Sequence, residues 1–383
     1  MTEKIASSND HNVYILGAGF SCEAGMPLVA NYLHRMRDAA PWLVSEGRSA
    51  EAKAIGSVLQ FRHEASSAAY RISTNPENIE ELFSLASACK SDKSLVRDFT
   101  VALAATLDYC ANQQEGASLF LDAPATWNPP SHWKKGDRRG VPEDRRLDRA
   151  PVHDIYAGLL CGHISSRSDD ARDTFISFNY DTLVEESLSN CELTFSYGFA
   201  RTAANIDGSL ANKRSFDTEA AVRVLKLHGS VNWAKGKGTT KKVTVFGGYE
   251  DLRKADREPV ILPPTWKKEF PALLTQVWDT AVEAIRTATR VIVIGFSIPV
   301  IDTHFKYLLA AGLKDNISLR DLLFVNPNID LLRERLETLV RPELEEHGVL
   351  RVFKGKTLDF FCRDKSDLRS IGREPEGQFR IKC

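Results

Sequence analysis

No cysteine pair at C-x-x-C spacing occurs in this chain. Its seven cysteines, at positions 22, 89, 110, 161, 191, 362 and 383, are an odd number and widely scattered. That pattern argues against a four-cysteine zinc site and against a disulfide framework. No metal is expected, and a reducing, cytoplasmic setting is. Net charge is also lacking: 50 Lys plus Arg against 51 Asp plus Glu leave −1. No global field therefore draws the protein to nucleic acid or anionic lipid. No apolar run approaches the roughly 18 residues of a membrane span. The polar stretch 1–10 has no apolar core of the signal-peptide kind, and no repeat or low-complexity tract occurs. Gly355-Lys356-Thr357 ends like a phosphate loop, but the first glycine of that motif would fall at Leu350, which excludes a P-loop ATPase site.

What is present is ample apolar material, 43% of residues, in a patterned order. Strand-like runs fall at 13–16, 174–178, 193–197, 222–227, 243–246, 259–262, 290–294, 322–325 and 349–353. Most are flanked by helical patterns or turns, the alternation of an α/β sheet. Between 28 and 170 no strong strand signal occurs. There Asn75-Pro76-Glu77 has the form of a helix start, with an N-cap, a proline and an acid. Ile79, Leu82, Phe83 and Ala86 follow at amphipathic spacing. The expected fold is α/β, a Rossmann-like doubly wound, mostly parallel sheet with a mainly helical insertion. Residues 1–36 and 170–383 would form the sheet domain and 37–169 the insertion. Within the insertion, Lys134 to Arg149 holds seven basic and four acidic residues, either a partner-binding loop or a solvated one.

The run Val13-Tyr-Ile-Leu16 breaks into Gly17-Ala18-Gly19-Phe-Ser21-Cys22. Without Cβ atoms, such a turn lets backbone N–H groups approach a pyrophosphate. The dinucleotide fingerprint of dehydrogenases needs a third glycine where Cys22 stands, and an acidic strand end about 20 residues on. Neither is found, which points away from hydride transfer.

Four more polar tips follow expected strands: Asn179-Tyr180-Asp181, His228-Gly229-Ser230, Gly295-Phe296-Ser297 and Asn326-Pro327-Asn328. In open parallel sheets ligands bind outside the carboxyl ends of the strands, so parallel strands would bring all five tips to one crevice. Each has a plainer alternative. Asn179 and Asp181 could cap the first turn of a helix over 180–190. His228 could be a hydrogen-bonded strand end. Ser297 and Asn326 could be turn residues beside prolines.

In this order, Gly-Ala-Gly-x-Ser, Phe-Asn-Tyr-Asp, Leu-His-Gly, Gly-Phe-Ser and Val-Asn-Pro-Asn, the chain resembles the sirtuin (silent information regulator) superfamily. The resemblance is closest to the bacterial sirtuin-like, NAD-consuming branch associated with anti-phage defence. It covers the first 27 residues and roughly 174–330, including Ile261-Leu-Pro263-Pro264-Thr-Trp266. It implies NAD as substrate, with Gly17, Ala18, Gly19 and Ser21 lining the pyrophosphate and adjacent ribose. Asn179 would contact the nicotinamide ribose or order water at its anomeric carbon. Asp181 would fix the nicotinamide end, and His228 would be the catalytic base. Gly295, Ser297 and Asn326 would contact the adenosine half.

Two departures set this chain apart from sirtuin deacylases. It lacks their zinc-binding cysteine pairs, so no zinc is expected, and Leu28-Val29-Ala30 stands where they continue Asp-Phe-Arg after Pro27. Loss of nicotinamide neutralises a pyridinium and needs no strong acid; an oxocarbenium-like ribose cation then awaits a nucleophile. An amide can hold the ribose, and an imidazole, with an ordinary pKa of about 6.5, can take a proton near neutrality. The expectation is an NAD glycohydrolase giving nicotinamide and ADP-ribose. A protein deacylase and a non-enzymatic NAD or ADP-ribose sensor are the alternatives. The resemblance further implies an NAD-depleting effector held in check by homo-oligomerisation or by a partner, a HerA-type ATPase or a short Argonaute, with nucleic acid reached only through that partner.

Overall fold

A computed structural model describes residues 11–67, 70–71, 73–89, 93–113, 120–122, 149–161, 172–236, 242–262, 272–298 and 303–362. The basic stretch as far as residue 148, residues 263–266, Pro299 and the segment beyond Cys362 lie outside these.

Along the chain the strands are β1 (His11–Leu16), β2 (Phe120–Asp122), β3 (Arg149–Pro151), β4 (Arg172–Ser177), β5 (Phe195–Ser196), β6 (Asn205–Ile206) and β7 (Val222–Lys226). Then come β8 (Gly229–Ala234), β9 (Thr244–Val245), β10 (Pro259–Ile261), β11 (Arg290–Ile294), β12 (Asp321–Asn326) and β13 (Leu350–Lys354). Seven form one sheet in the order β13–β12–β11–β1–β4–β7–β5, with every pairing parallel. From β1 the chain builds outward through β4 and β7, then returns to build β11, β12 and β13 on the other side. The fold is thus α/β, with a Rossmann-like, doubly wound sheet, and the order reverses between β1 and β11.

Parallel strands covered by helices on both faces read as unbroken apolar runs. Val13, Tyr14, Ile15 and Leu16 are all fully buried. The register sets the crevice. Leu16 pairs with Ile294 and with Ser177, Ile294 with Val325, and Ser177 with Lys226. These five residues form one rung, so the segments at Gly17, Phe178, Leu227, Gly295 and Asn326 leave the sheet at one level.

The sequence reading missed β8, which follows the His228 tip. It is buried along its length and lies between β10 and β9 in a four-stranded sheet, β10–β8–β9–β6. Gly229 makes the turn into it. Its φ is +82°, and an added Cβ would lie 2.0 Å from the Val260 carbonyl oxygen, so only glycine fits.

The helices Tyr32–Ser45, Ser49–Ala65, Ile79–Ala88 and Lys93–Asn112 pack around a second core that includes Met36, Ile55, Phe83, Phe99 and Leu103. Val231, Phe246, Tyr249 and Ile261 join this core from the later part of the chain. Arg48 ties the two parts together. It bonds to Glu51 and Asp108 and lies over the rings of Trp42 and Tyr249, while the Tyr249 hydroxyl donates to Glu51 at 2.7 Å. The third helix starts later than Asn75-Pro76-Glu77 suggested. Asn75 closes a turn of its own, accepting from Glu77 N, and Asn78 is the cap, its Oδ1 accepting from Glu80 and Glu81 N. Two asparagines three residues apart made both starts plausible, and Asn78 is the one that abuts the apolar stripe. Among the described residues no helix is long and apolar enough to cross a membrane.

Candidate active site

Gly17 leaves β1 extended, and Ala18–Ser21 form a single helical turn. The glycines serve backbone packing. Gly17 N donates to Ile294 O at 3.0 Å and Gly19 N to Gly295 O at 2.8 Å. A Cβ on Gly17 would lie 2.6 Å from Phe296 Cα, and one on Gly19 2.8 Å from Gly295 Cα. Gly295 adopts φ +64°, and its Cβ would lie 2.2 Å from Phe20 N. Three glycines thus let the β1 and β11 tips lie backbone to backbone. Those two N–H groups are committed to this contact, where the sequence reading had them free for a pyrophosphate.

The loop is held from behind. His153 shares a 2.7 Å hydrogen bond with the Phe20 carbonyl and meets the Phe20 ring edge-on at 5.1 Å. Burial pushes its imidazole pKa down to about 4. The neutral ring therefore donates Nε2–H to that carbonyl. Glu23 accepts from Tyr156 Oη at 2.7 Å and from Leu358 N at 3.1 Å. Burial raises the thiol pKa of the adjacent Cys22, which keeps it protonated.

At the β4 tip, Asn179 is the link between loops. Its Nδ2 donates to Gly17 O and to Ser21 Oγ, both at 2.9 Å. Its Oδ1 accepts no hydrogen bond among the described residues. It is therefore no helix cap; the next helix starts at Leu183. Asp181 does act in that first turn, its Oδ1 accepting from Leu183 N at 3.1 Å. Tyr180 O accepts from Val231 N at 3.0 Å, and its hydroxyl donates to Leu262 O at 3.0 Å, which fastens the tip to β8 and β10.

These tips border a cleft between the sheet and the helical part. One wall is Ala18, Ser21, Phe178, Asn179, Tyr180 and Asp181. The facing wall comes from the helical part, with Tyr32, Ile79, Glu80, Phe83, Leu103 and Leu107; Met26, Pro27 and Val29 complete it. Polar groups gather at the Ser21–Asn179–Asp181 end, and most of the rest is aliphatic or aromatic. Such a space suits a flat heteroaromatic ring attached to a hydroxylated group. The helical wall was not anticipated as part of the site. Its one signal was the stripe Ile79, Leu82, Phe83 and Ala86, of which Ile79 and Phe83 face the cleft.

Of the ten residues singled out from sequence, Ala18, Ser21, Asn179 and Asp181 line this cleft. Gly17, Gly19 and Gly295 do not line it; they hold the adjoining β1 and β11 tips together by close packing. His228 does not line it. The His228 side chain is buried, edge-on to Phe178 at 5.1 Å and tilted against Tyr180 at 6.3 Å, two rings that do line the cleft. Asn326 is buried beside the β11 tip; its Nδ2 donates to Phe296 O and its Oδ1 accepts from Asn328 N. Ser297 is exposed, and its carbonyl accepts from Arg335. Among the described residues no three His, Cys, Asp or Glu side chains form a metal-binding group.

The sequence matches no protein-family profile and no curated protein. Solved structures that the chain matches include Sir2 proteins. One is a Sir2 complex with an inhibitor, 2′-O-acetyl-ADP-ribose and a deacetylated peptide, at 12% identity, over 91% of this chain and 90% of that one, TM-score 0.35. Another is Sir2Tm bound to a propionylated peptide, at 12% identity, over 91% and 89%, TM-score 0.33. A third is a Sir2 homologue mutant with ADP-ribose, at 12% identity, over 89% and 100%, TM-score 0.34.

Proposed function

We propose that the chain is an NAD glycohydrolase, with the cleft at the β1 and β4 tips holding the nicotinamide riboside half of NAD. The observation that carries this reading is Asn179. Its amide nitrogen is fixed by Gly17 and Ser21, and this aims a free carbonyl oxygen from the polar end of an apolar cleft. That oxygen would accept from a ribose hydroxyl or from the attacking water. The nicotinamide ring would lie among the apolar walls, and its carboxamide would meet Asp181.

In the proposed reaction the bond from the ribose anomeric carbon to the ring nitrogen breaks. The electron pair leaves with neutral nicotinamide, and water adds to the ribose cation and loses a proton. His228 is the proposed proton acceptor. It packs against Phe178 and Tyr180, both of which line the cleft. Gly295, Ser297 and Asn326 are proposed to border the adenosine half across the β11 and β12 tips. With NAD filling the space between the facing walls, bulk water would be displaced, which favours one positioned nucleophile.

By the same reading the chain is an NAD-depleting effector in anti-phage defence, active in the cytoplasm and regulated by self-association or by a partner such as a HerA-type ATPase or a short Argonaute. The test is chromatography of NAD incubated with the protein, alone and with its genomic neighbour's product. Release of equimolar nicotinamide and ADP-ribose is expected. Intact NAD under every condition, or O-acyl-ADP-ribose formed only with an acyl-lysine peptide, would overturn it.

A further inference from the structure

Lys226 ends β7, two residues before His228, and only 1% of its side chain is exposed. Its ammonium donates to the main-chain carbonyl of Asp181 and lies 3.6 Å from Glu185 Oε1, on a side chain only 6% exposed. Glu185 stands in the first turn of the helix Leu183–Asn190, which follows the β4 tip. The Tyr197 hydroxyl, which accepts from Asn232 Nδ2 at 3.0 Å, meets both Glu185 and Trp233 in the same interior. Burial pushes the Glu185 carboxyl pKa up, against the pull of Lys226.

A buried ion pair of this kind gains little over apolar residues of equal volume, because desolvation offsets the attraction. A methionine at 226 and a leucine at 185 would fill the space without that cost. What they could not supply is the bond to Asp181 O. The tip is anchored upstream through the Asn179 amide on Gly17 and Ser21. Downstream, the Asp181 carboxylate is turned to Leu183 N, and among the described residues Lys226 is the side chain that holds its carbonyl.

We propose that Lys226 is a positioning residue. Through the Asp181 carbonyl it sets the orientation of the Asn179–Asp181 tip in the cleft, and Glu185 is its counter-charge. This deepens the NAD reading of the same cleft and rests on it for the effect on turnover.

The test uses the full-length Lys226→Met/Glu185→Leu double variant, which removes both charges together. Thermal unfolding, amide hydrogen exchange over residues 179–183, and the KM and kcat for NAD are measured against wild type. The double variant should unfold close to wild type. Exchange at 179–183 should rise tenfold or more, and kcat/KM should fall roughly tenfold to a hundredfold, the range for one charged hydrogen bond. A folded double variant with wild-type exchange and wild-type kcat/KM would overturn the proposal. If the double variant fails to fold, Glu185→Gln decides. It keeps the ammonium–carbonyl bond, so kcat/KM within threefold of wild type supports the proposal and a tenfold loss overturns it. If wild type leaves NAD untouched but exchange at 179–183 rises in the double variant, the NAD reading fails while the positioning role of Lys226 stands.

Discussion

Alanine at position 19 would put a methyl carbon 2.8 Å from the Gly295 Cα and 2.9 Å from its carbonyl oxygen. Both are backbone atoms, so no side chain can turn away. The β1 and β11 tips would have to part by about half an ångström or more, which stretches the 2.8 Å bond from Gly19 N to Gly295 O. Overpacking of this kind costs about 1–3 kcal/mol. For a chain this long, that is a fall of about 1–4 °C in Tm, from an unfolding entropy of about 2.1 cal/mol/K per residue. Gly56 is the internal control. It lies within the helix Ser49–Ala65 with nothing within 4 Å of its added Cβ, so Gly56→Ala should stabilise by about 0.5–1 kcal/mol. Urea unfolding followed by circular dichroism measures both. The two substitutions should have opposite signs, and Gly19→Ala should also weaken NAD binding. A Gly19→Ala protein as stable as wild type would refute the backbone-packing role of these glycines and leave them only a role in ligand approach.

Further outcomes are expected elsewhere. His153 has a pKa of about 4 in the fold against about 6.5 unfolded. As pH falls from 6.5 to 4, the unfolded chain takes up a proton that the native state refuses, so stability is lost, by about 3 kcal/mol at most. Urea unfolding across that range should show a shallower fall for His153→Leu, and parallel curves would contradict the assignment. Gly229→Ala should cost about 3 kcal/mol or more, because a left-handed turn and the Val260 carbonyl both oppose the new methyl; a loss below 1 kcal/mol by the same assay would count against it. Phe83 is fully buried and stacks on Phe99 at 5.1 Å while bordering the cleft. Phe83→Ala should destabilise by about 3–5 kcal/mol and raise the KM for NAD, read by unfolding and steady-state kinetics. An unchanged KM would remove the helical wall from the binding site.

Much of the sheet was legible because its central parallel strands, covered on both faces, carry nearly unbroken apolar runs. Val13–Leu16, Val291–Ile294 and Leu322–Val325 announce themselves, and so does the breaking of each run into Gly or Asn. Strand β8 was not legible. Its Ser-Val-Asn-Trp pattern mixes polar and apolar residues, and its burial depends on partners from β9 and β10 that no local pattern names. Asn179 could be singled out, but its bonds to Gly17 and Ser21 join residues about 160 positions apart and follow only from the β1–β4 register. The packing of His228 against Phe178 and Tyr180 and the burial of Lys226 were hidden for the same reason. The helical wall of the cleft was hidden too, since the periodicity of Ile79–Ala86 says that a face is covered without saying by what.

The most direct measurement is a proton NMR time course of NAD with wild-type protein and with Asn179→Ala. We expect the nicotinamide-riboside anomeric signal to decay in step with the rise of free nicotinamide for wild type. Asn179→Ala should still be folded and should slow that decay at least a hundredfold, the scale of one positioned catalytic group. NAD that stays intact with wild type, or is cut at the same rate by Asn179→Ala, would contradict the role given to this cleft.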